Sequence, residues 1–304
     1  MIKMIKDLES TFKKSHSDIK QAFLEIDSPD KLSISLDRWK RPEGGGGTTF
    51  AIQESNFFDN CAVNFSSISG KKLPKAALGN SLLKSTRYGY QAMGVSVISH
   101  PKNPNVPSSH MNIRLFCILD RKGLIKEWWA GGGYDLTPFF AHEEDCKKWH
   151  LDAKSMLDNH KKGLYRIFSK NCNEYFNIPH RNERRGIGGI FFDNFTQMSL
   201  EKTTNMLLDI AKQYKESYIQ LSNARKKKKF SLKDKEFQLY RRGRYAEFNL
   251  AYDRGTKFGL ESNGRISSIL ASLPSDVKWA YKKDKSYLKM EKELLKYINR
   301  DWNV

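Results

Sequence analysis

Apolar and polar residues alternate from Ser108 to Cys117. His110, Asn112, Arg114 and Phe116 fall on one face of a strand, and Met111, Ile113, Leu115 and Cys117 on the other. Imidazole, amide and guanidinium at consecutive positions of one sheet face need a reason, because each is costly to bury. Asp120, Lys122 and Gly123 mark a turn, and a second strand, Lys126 to Ala130, runs into Gly131, Gly132 and Gly133. Asp135 and Thr137-Pro138 follow. The stretch reads as a hairpin that aims polar side chains into a cleft, with glycines that let backbone approach a ligand.

Other periodicities place the remaining elements. Ile5, Leu8, Phe12, Ile19 and Phe23 define an amphipathic helix over the first 26 residues. Asp37 to Thr49 reads as a loop whose glycines, Gly44 to Gly47, suit an anion cradle, a mobile lid or a plain turn. Phe50 to Ser67 reads as paired strands. Ala92 to His100 is a strand with Gly94, Ser96, Ile98 and His100 on one face, and Pro101, Pro104 and Pro107 stiffen its connection to the hairpin. That brings His100 within reach of His110. His142 to His160 has a helical acidic first turn and a stripe of Cys146, His150, Ala153 and Leu157, so His150 points inward. Residues 161 to 178 continue as helix. Gly188 to Phe195 is a buried strand, and Leu200 to Leu221 is a helix with Leu207, Ile210, Ala211, Tyr214 and Tyr218 inward. Arg241 to Leu260 reads as two strands joined at Asp253-Arg254-Gly255, followed by a turn at Ser262 to Arg265. Helices after Pro274 close the chain at Trp302. Strands and helices do not alternate regularly, so the expected class is α+β, one domain over 1–304 built on an antiparallel sheet.

Composition narrows the picture. A chain of 304 residues with 39% hydrophobic and 12% aromatic content affords a packed core. No apolar run reaches membrane-spanning length, and the N-terminus lacks a signal-peptide core. Cys61, Cys117, Cys146 and Cys172 show no metal-ligand spacing, which fits free thiols in a reducing cytoplasm. Net charge is +19, a value that opens nucleic acid, an anionic surface or an acidic substrate as partners. The lysines are scattered, however, and Lys226 to Lys229, placed between a helix and a strand, reads as a solvated loop.

Two constellations carry candidate chemistry. His100, His110, His150 and His180 lie in structured contexts, whereas His16, His142 and His160 read as surface residues. Each of the four is either a hydrogen-bonded core residue or, jointly, a ligand for a divalent metal. Among the charged groups, Asp135 follows three glycines, and Asp253 sits beside Arg254 at a turn, where a turn-forming role is the alternative. Arg114 needs a carboxylate, internal or from a ligand. Arg265 beside Gly264 is either an anion site or an exposed turn.

Longer motifs go further. RPEGGGG at 41–47, GVSVISHP at 94–101, SSHMNIR at 108–114, WWAGGGYDLTPFF at 128–140 and HRNERRGIGGIFFD at 180–193 occur in order. FQLYRRGRYAEFNLAYDRGTKFGL at 237–260 and NGRISSILASLP at 263–274 follow. Together they resemble the oxygen-dependent coproporphyrinogen III oxidase family from about residue 37 onward. Ala130 and Asn263 depart from the family's aromatic and glycine. The resemblance implies a large antiparallel sheet flanked on both faces by helices, an N-terminal helical segment over 1–36, and a homodimer with 245–280 as its contact region. It implies oxidative decarboxylation of two propionates of coproporphyrinogen III to vinyls, giving protoporphyrinogen IX, with O2 as co-substrate and no flavin, haem or NAD. A divalent metal such as Mn is expected as a dispensable cofactor, held by His100, His110, His150 and His180. By the same resemblance His110 donates a proton, and Asp135 and Asp253 accept pyrrole N–H groups, with Arg254 keeping Asp253 ionised. Ser96, Asn112, the backbone at Ile113 and Arg114 bind substrate, as do Asn263, Gly264 and Arg265. A soluble cytoplasmic enzyme with no nucleic-acid partner and no stable membrane insertion is the expectation. A basic nucleic-acid-binding protein and a non-catalytic tetrapyrrole carrier are the competing readings.

Overall fold

The computed structural model describes residues 2–304 except 28, 29, 31, 32, 84, 86, 262–264, 283 and 303. Helix α1 (Ile2–Asp27) precedes strands β1 (Ile34–Lys40), β2 (Gly45–Gln53) and β3 (Phe58–Gly70), and the single turn α2 (Lys75–Leu78). Strands β4 (Gly89–Pro101), β5 (Ser108–Leu119) and β6 (Ile125–Thr137) follow, then α3 (Glu143–Asp158) and α4 (Leu164–Tyr175). The short pair β7 (Asn177–Ile178) and β8 (Glu183–Arg184) brackets a 3-10 turn, Pro179–Arg181. Strand β9 (Gly188–Phe195) leads into α5 (Leu200–Arg225), α6 (Leu232–Ala251), α7 (Arg254–Glu261), α8 (Ile266–Leu270) and α9 (Lys285–Ile298). Among the described residues, seven strands form one antiparallel sheet in the order β1-β2-β3-β4-β5-β6-β9.

The two faces of this sheet differ. Val63, Val95, Ile113 and Tyr134 are all at most 1% exposed and share a core with Phe12, Phe23, Trp149, Leu207 and Tyr214 from α1, α3 and α5. Two polar residues on that side, Ser99 and Ser109, lie 2.6 and 2.8 Å from the hydroxyls of Tyr218 and Tyr214. The other face is covered only in part. Tyr245 of α6 packs on Ala62 and Ile98. Asn60 donates to the carbonyls of Ala271 and Leu273 at 2.9 and 2.7 Å. Thr49 and Ser268 of α8 meet at 2.8 Å. The α+β architecture with helices on both faces is as expected.

Several local expectations are corrected. Arg241 to Leu260 is helical, not a strand pair: α6 buries Phe237, Tyr240, Arg241, Arg244, Tyr245 and Phe248 at helical spacing, and it contains no Val, Ile or Thr. A capping box of Ser231 and Asp234 starts it. The Lys226 to Lys229 run therefore joins two helices. Asp37 to Thr49 is a hairpin rather than a loop, since Gly45, Gly46 and Gly47 pair within the sheet, the last two with both β1 and β3. A Cβ at Gly47 would lie 2.4 Å from the Trp39 ring, so the glycine serves ring packing. Strand β6 continues through the three glycines to Thr137. His16 is buried, with Nε2 3.1 Å from the Val63 carbonyl, where a surface position was expected. One helix, α9, rather than several, lies between Pro274 and Trp302 among the described residues.

Candidate active site

The register of the sheet assembles the polar face into rows. Thr49, Asn64, Ser96, Asn112, Gly133 and Phe191 are successive cross-strand partners. One row further along, Ser66, Gly94, Arg114 and Gly131 align, and on the opposite side Ala62, Ile98, His110 and Asp135 align. These rows floor a cleft of about 350 Å³, roofed by Tyr245 and Asn249 of α6, Asp253, Thr256 of α7 and Ser268 of α8. The sequence-selected residues Ser96, His110, Asn112, Arg114, Asp253 and Arg265 all line it.

Arg114 lies flat over Gly131, where a Cβ would sit 2.6 Å from its Nε. Its Nη2 reaches Asp193 of β9 at 2.8 Å, and the side chain is 44% exposed. The internal carboxylate that Arg114 requires is thus Asp193, and the exposed part of the guanidinium faces the cleft. Asn112 and Asn64 each hold a buried Oδ1 with no partner among the described residues. Buried acceptors are normally satisfied, so these are binding capacity left open beside a ligand space.

Asp135 occupies a different position from the one expected. It is 1% exposed and absent from the cleft wall. Its Oδ1 accepts from His110 Nδ1 at 3.1 Å and from Arg185 Nη2 at 2.7 Å, and its Oδ2 accepts from Arg185 Nε at 3.3 Å. Burial works against its charge, but Arg185 and His110 outweigh that and hold the carboxyl below the usual range. Arg185 is also buried. Its guanidinium lies 4.1 Å from the Phe176 ring centre and 4.5 Å from that of Tyr245, and Nη1 donates to Asn249 Oδ1 at 2.8 Å. Asp135 therefore fixes His110 through Nδ1–H and turns Nε2 toward the cleft.

Asp253 caps α7. Thr256 donates to its Oδ2 through backbone N at 2.7 Å and through Oγ1 at 2.8 Å, and the Tyr175 hydroxyl donates to Oδ1 at 2.7 Å. Burial again raises its pKa, while these hydrogen bonds and the nearby His110 lower it further, for a net depression. Arg254 is not its ion-pair partner: it stacks 4.9 Å from the Tyr175 ring centre and reaches Asp193 at 3.6 Å.

The remaining candidates divide three ways. Ile113 points its fully buried side chain into the opposite core, and its backbone runs between Val95 and Gly132 in the ladder, so it has nothing to offer a ligand. Arg265 lines the cleft but is paired with Asp37 of β1. Asn263 and Gly264 lie outside the described residues.

The four histidines do not converge. His100 is fully buried, with Nδ1 2.9 Å from Ser108 Oγ and Nε2 3.1 Å from the Ser272 carbonyl. Burial, reinforced by Arg242, lowers its pKa to about 3. His150, on the opposite side of the sheet, sits 3.0 Å from both the Ile187 carbonyl and the Tyr165 hydroxyl, and burial lowers its pKa to about 4. His180 is exposed and bonds Tyr252 and Glu247 at 2.7 Å each. Both ring nitrogens of all three are thus engaged by protein, and among the described residues no cluster of three or more His, Cys, Asp or Glu is placed to hold a metal. The histidine set does not fit a metal centre.

Sequence reasoning missed Arg185, Asn64, Tyr175 and Asp193. Asp193 was accessible from period two along β9, where it shares a face with Phe191. Arg185 carries no periodic signal, because it lies in the bend between β8 and β9.

A family model described as coproporphyrinogen III oxidase matches residues 7–303. The match spans every strand of the sheet and both walls of the cleft. The chain belongs to the coproporphyrinogen III oxidase family, which carries out oxidative decarboxylation in haem biosynthesis.

Proposed function

We propose that this chain uses molecular oxygen to convert two propionates of coproporphyrinogen III into vinyls. Electron balance sets the demand on the site. Each propionate loses carbon dioxide and two hydrogens, and O2 takes up two electrons and two protons to leave as hydrogen peroxide. The observation that carries this reading is the polar floor of the cleft, with its open acceptors on Asn64 and Asn112 between a half-exposed Arg114 and the ionised Asp253. Arg114 holds a propionate. A carboxylate has about four acceptor sites, and Asp253 has three occupied, so capacity remains for a pyrrole N–H. His110, fixed through Asp135 and Arg185, moves a proton at Nε2.

All four cysteines are buried and unpaired, and none lines the cleft, which supports an oxidant that needs no thiolate at the site and a reducing cytoplasmic setting. We further infer a homodimer through 245–280, because Leu250, Leu260, Ile266, Leu270 and Trp279 are exposed there, with Tyr281 just beyond. Sedimentation equilibrium tests this, and a monomer at micromolar concentration refutes it. The reaction is tested by turnover of fresh coproporphyrinogen III in air and under argon, each with and without chelator. The expectation is two carbon dioxide and two O2 per protoporphyrinogen IX in air, and no product under argon. Undiminished anaerobic turnover would overturn the assignment of the oxidant.

A further inference from the structure

The turn between α5 and α6 has a composition that the reaction does not use. Lys227, Lys228, Lys229, Phe230, Ser231, Leu232 and Lys233 are all exposed. Phe230 is 46% and Leu232 87% exposed, at the centre of five lysines that include Lys226. A helix start of this kind ordinarily hides the residue before its cap against the fourth helical residue. Here the cap is Ser231, and the fourth helical residue is Lys235, which is turned away to Asp59 at 2.9 Å. Phe230 therefore has no apolar partner in the staple position.

The turn is also held in shape. The Asn103 amide donates to the carbonyls of Lys226 and Lys228 at 3.1 and 2.8 Å, and the Asn105 amide to that of Lys229 at 3.5 Å. Neighbouring carboxylates are already engaged: Arg225 takes Glu144 and Asp145, Lys235 takes Asp59, and Asp234 accepts from Ser231 in the helix cap. Among the described residues, Lys227 and Lys229 make no ion pair.

We infer that this turn is a docking surface for an anionic lipid bilayer, on which the enzyme sits without inserting a span. Clustered lysines are drawn to acidic headgroups, each with a contribution of about 1 kcal/mol, equivalent to roughly fivefold in affinity. Phenylalanine and leucine beside them enter the headgroup boundary, as in interfacial segments generally. The most exposed tip is aliphatic, Leu232 rather than Phe230, which favours a headgroup boundary over single-stranded nucleic acid, where bases stack on aromatic rings. No helix among the described residues is long and apolar enough to cross a membrane, so the contact is peripheral.

The test is co-sedimentation of the full chain with vesicles of phosphatidylcholine alone and with phosphatidylglycerol added. Binding to the anionic vesicles alone, weakening as salt rises, is expected. Lys227→Gln with Lys229→Gln lowers the partition coefficient about 25-fold. Phe230→Ser with Leu232→Ser lowers it about tenfold or more. Turnover in detergent-free buffer stays unchanged in both variants, because none of the four residues touches the cleft. Phe230→Trp supplies a second readout, a blue shift of the introduced indole's emission on anionic vesicles. The inference is overturned by absent binding to anionic vesicles, by binding that survives both double variants, or by an emission of the Phe230→Trp variant that vesicles leave unmoved. Salt-dependent retention on non-specific DNA that needs the lysines but ignores Phe230 and Leu232, without vesicle binding, would overturn it too and make the turn a nucleic-acid contact.

Discussion

The two faces of strand β5 are one residue apart in sequence and do opposite work. Met111, Ile113, Leu115 and Cys117 are at most 1% exposed and pack under the helices. His110, Asn112, Arg114 and Phe116 are half-buried on the other side. The helix face is close-packed, and Ser99 and Ser109 on it are bonded to Tyr218 and Tyr214. The cleft face keeps acceptors unsatisfied at Asn64 and Asn112, each costing on the order of 1–3 kcal/mol. Burial on the first face offsets the incomplete bonding on the second, and a period of two lets both fit in one strand of 12 residues. The comparison teaches that stability and chemistry here are separable by parity of residue number.

Variants on the two faces sharpen that separation. The largest effect is expected at Asp253. Asn caps a helix as well as Asp does but carries no charge. Asp253→Asn should therefore lower kcat about 10²- to 10⁴-fold while moving the urea midpoint little. A variant that unfolds instead would return Asp253 to a purely structural role. Next come reciprocal substitutions on β5. Leu115→Ala should cost about 2–5 kcal/mol of stability, with kcat per folded molecule unchanged. Asn112→Ala should leave stability within about 1 kcal/mol and raise KM roughly tenfold. Equal losses of stability from both would break the comparison.

Acid titration tests the same division, since His150 belongs to the helix side and His100 to the cleft side. Both are neutral in the fold, with pKa values lowered to about 4 and about 3. Below about pH 6.5 the unfolded chain takes up protons that the folded chain refuses, so stability falls as pH falls. The slope is about 1.4 kcal/mol per pH unit for each histidine, and it ends near their folded pKa values. Asp135 and Asp253 have depressed pKa values, so their contribution is present above about pH 4 and is lost only at lower pH. Urea midpoints between about pH 7 and 5 therefore report the histidines. Burial also lowers the pKa values of His16 and His142, so four histidines share that slope. His150→Gln should remove only its own part of it, and an unchanged slope would refute the assignment of a neutral buried imidazole.

How much of this was legible before the structure follows from where each signal resides. Strands β5 and β9 were readable because one buried face imposes strict alternation, and α5 because its inner stripe keeps helical spacing. Helix α6 was misread because buried arginines, Arg241, Arg242 and Arg244, interrupt its apolar stripe, although the cap pair Ser231 and Asp234 marked its start. The glycines at 45–47 looked like a loop because the role of Gly47, making room for Trp39, depends on a neighbouring strand. Site chemistry divided the same way. Ser96, Asn112 and Arg114 came from parity, while the Arg185–Asp135–His110 chain links residues 50 and 25 positions apart and has no periodic trace.

The smallest effect is expected at His180, which local context grouped with His100, His110 and His150. It is exposed, and its Nε2 donates to Glu247, a carboxylate that also receives Arg181 at 2.7 Å and Trp279 Nε1 at 3.0 Å. Burial raises the pKa of Glu247, but those donors overcome it and hold the value at about 2, so the carboxylate stays charged whether or not His180 is present. Removing one donor from a surface network of this kind costs on the order of 0–1 kcal/mol. His180→Gln should thus leave kcat and KM within about twofold and shift the urea midpoint only slightly. A loss of turnover of about tenfold or greater, restored by added divalent cation, would show that His180 leaves Glu247 to serve the reaction. It would also show that the cleft and the surface are coupled in a way the parity of the sheet does not provide.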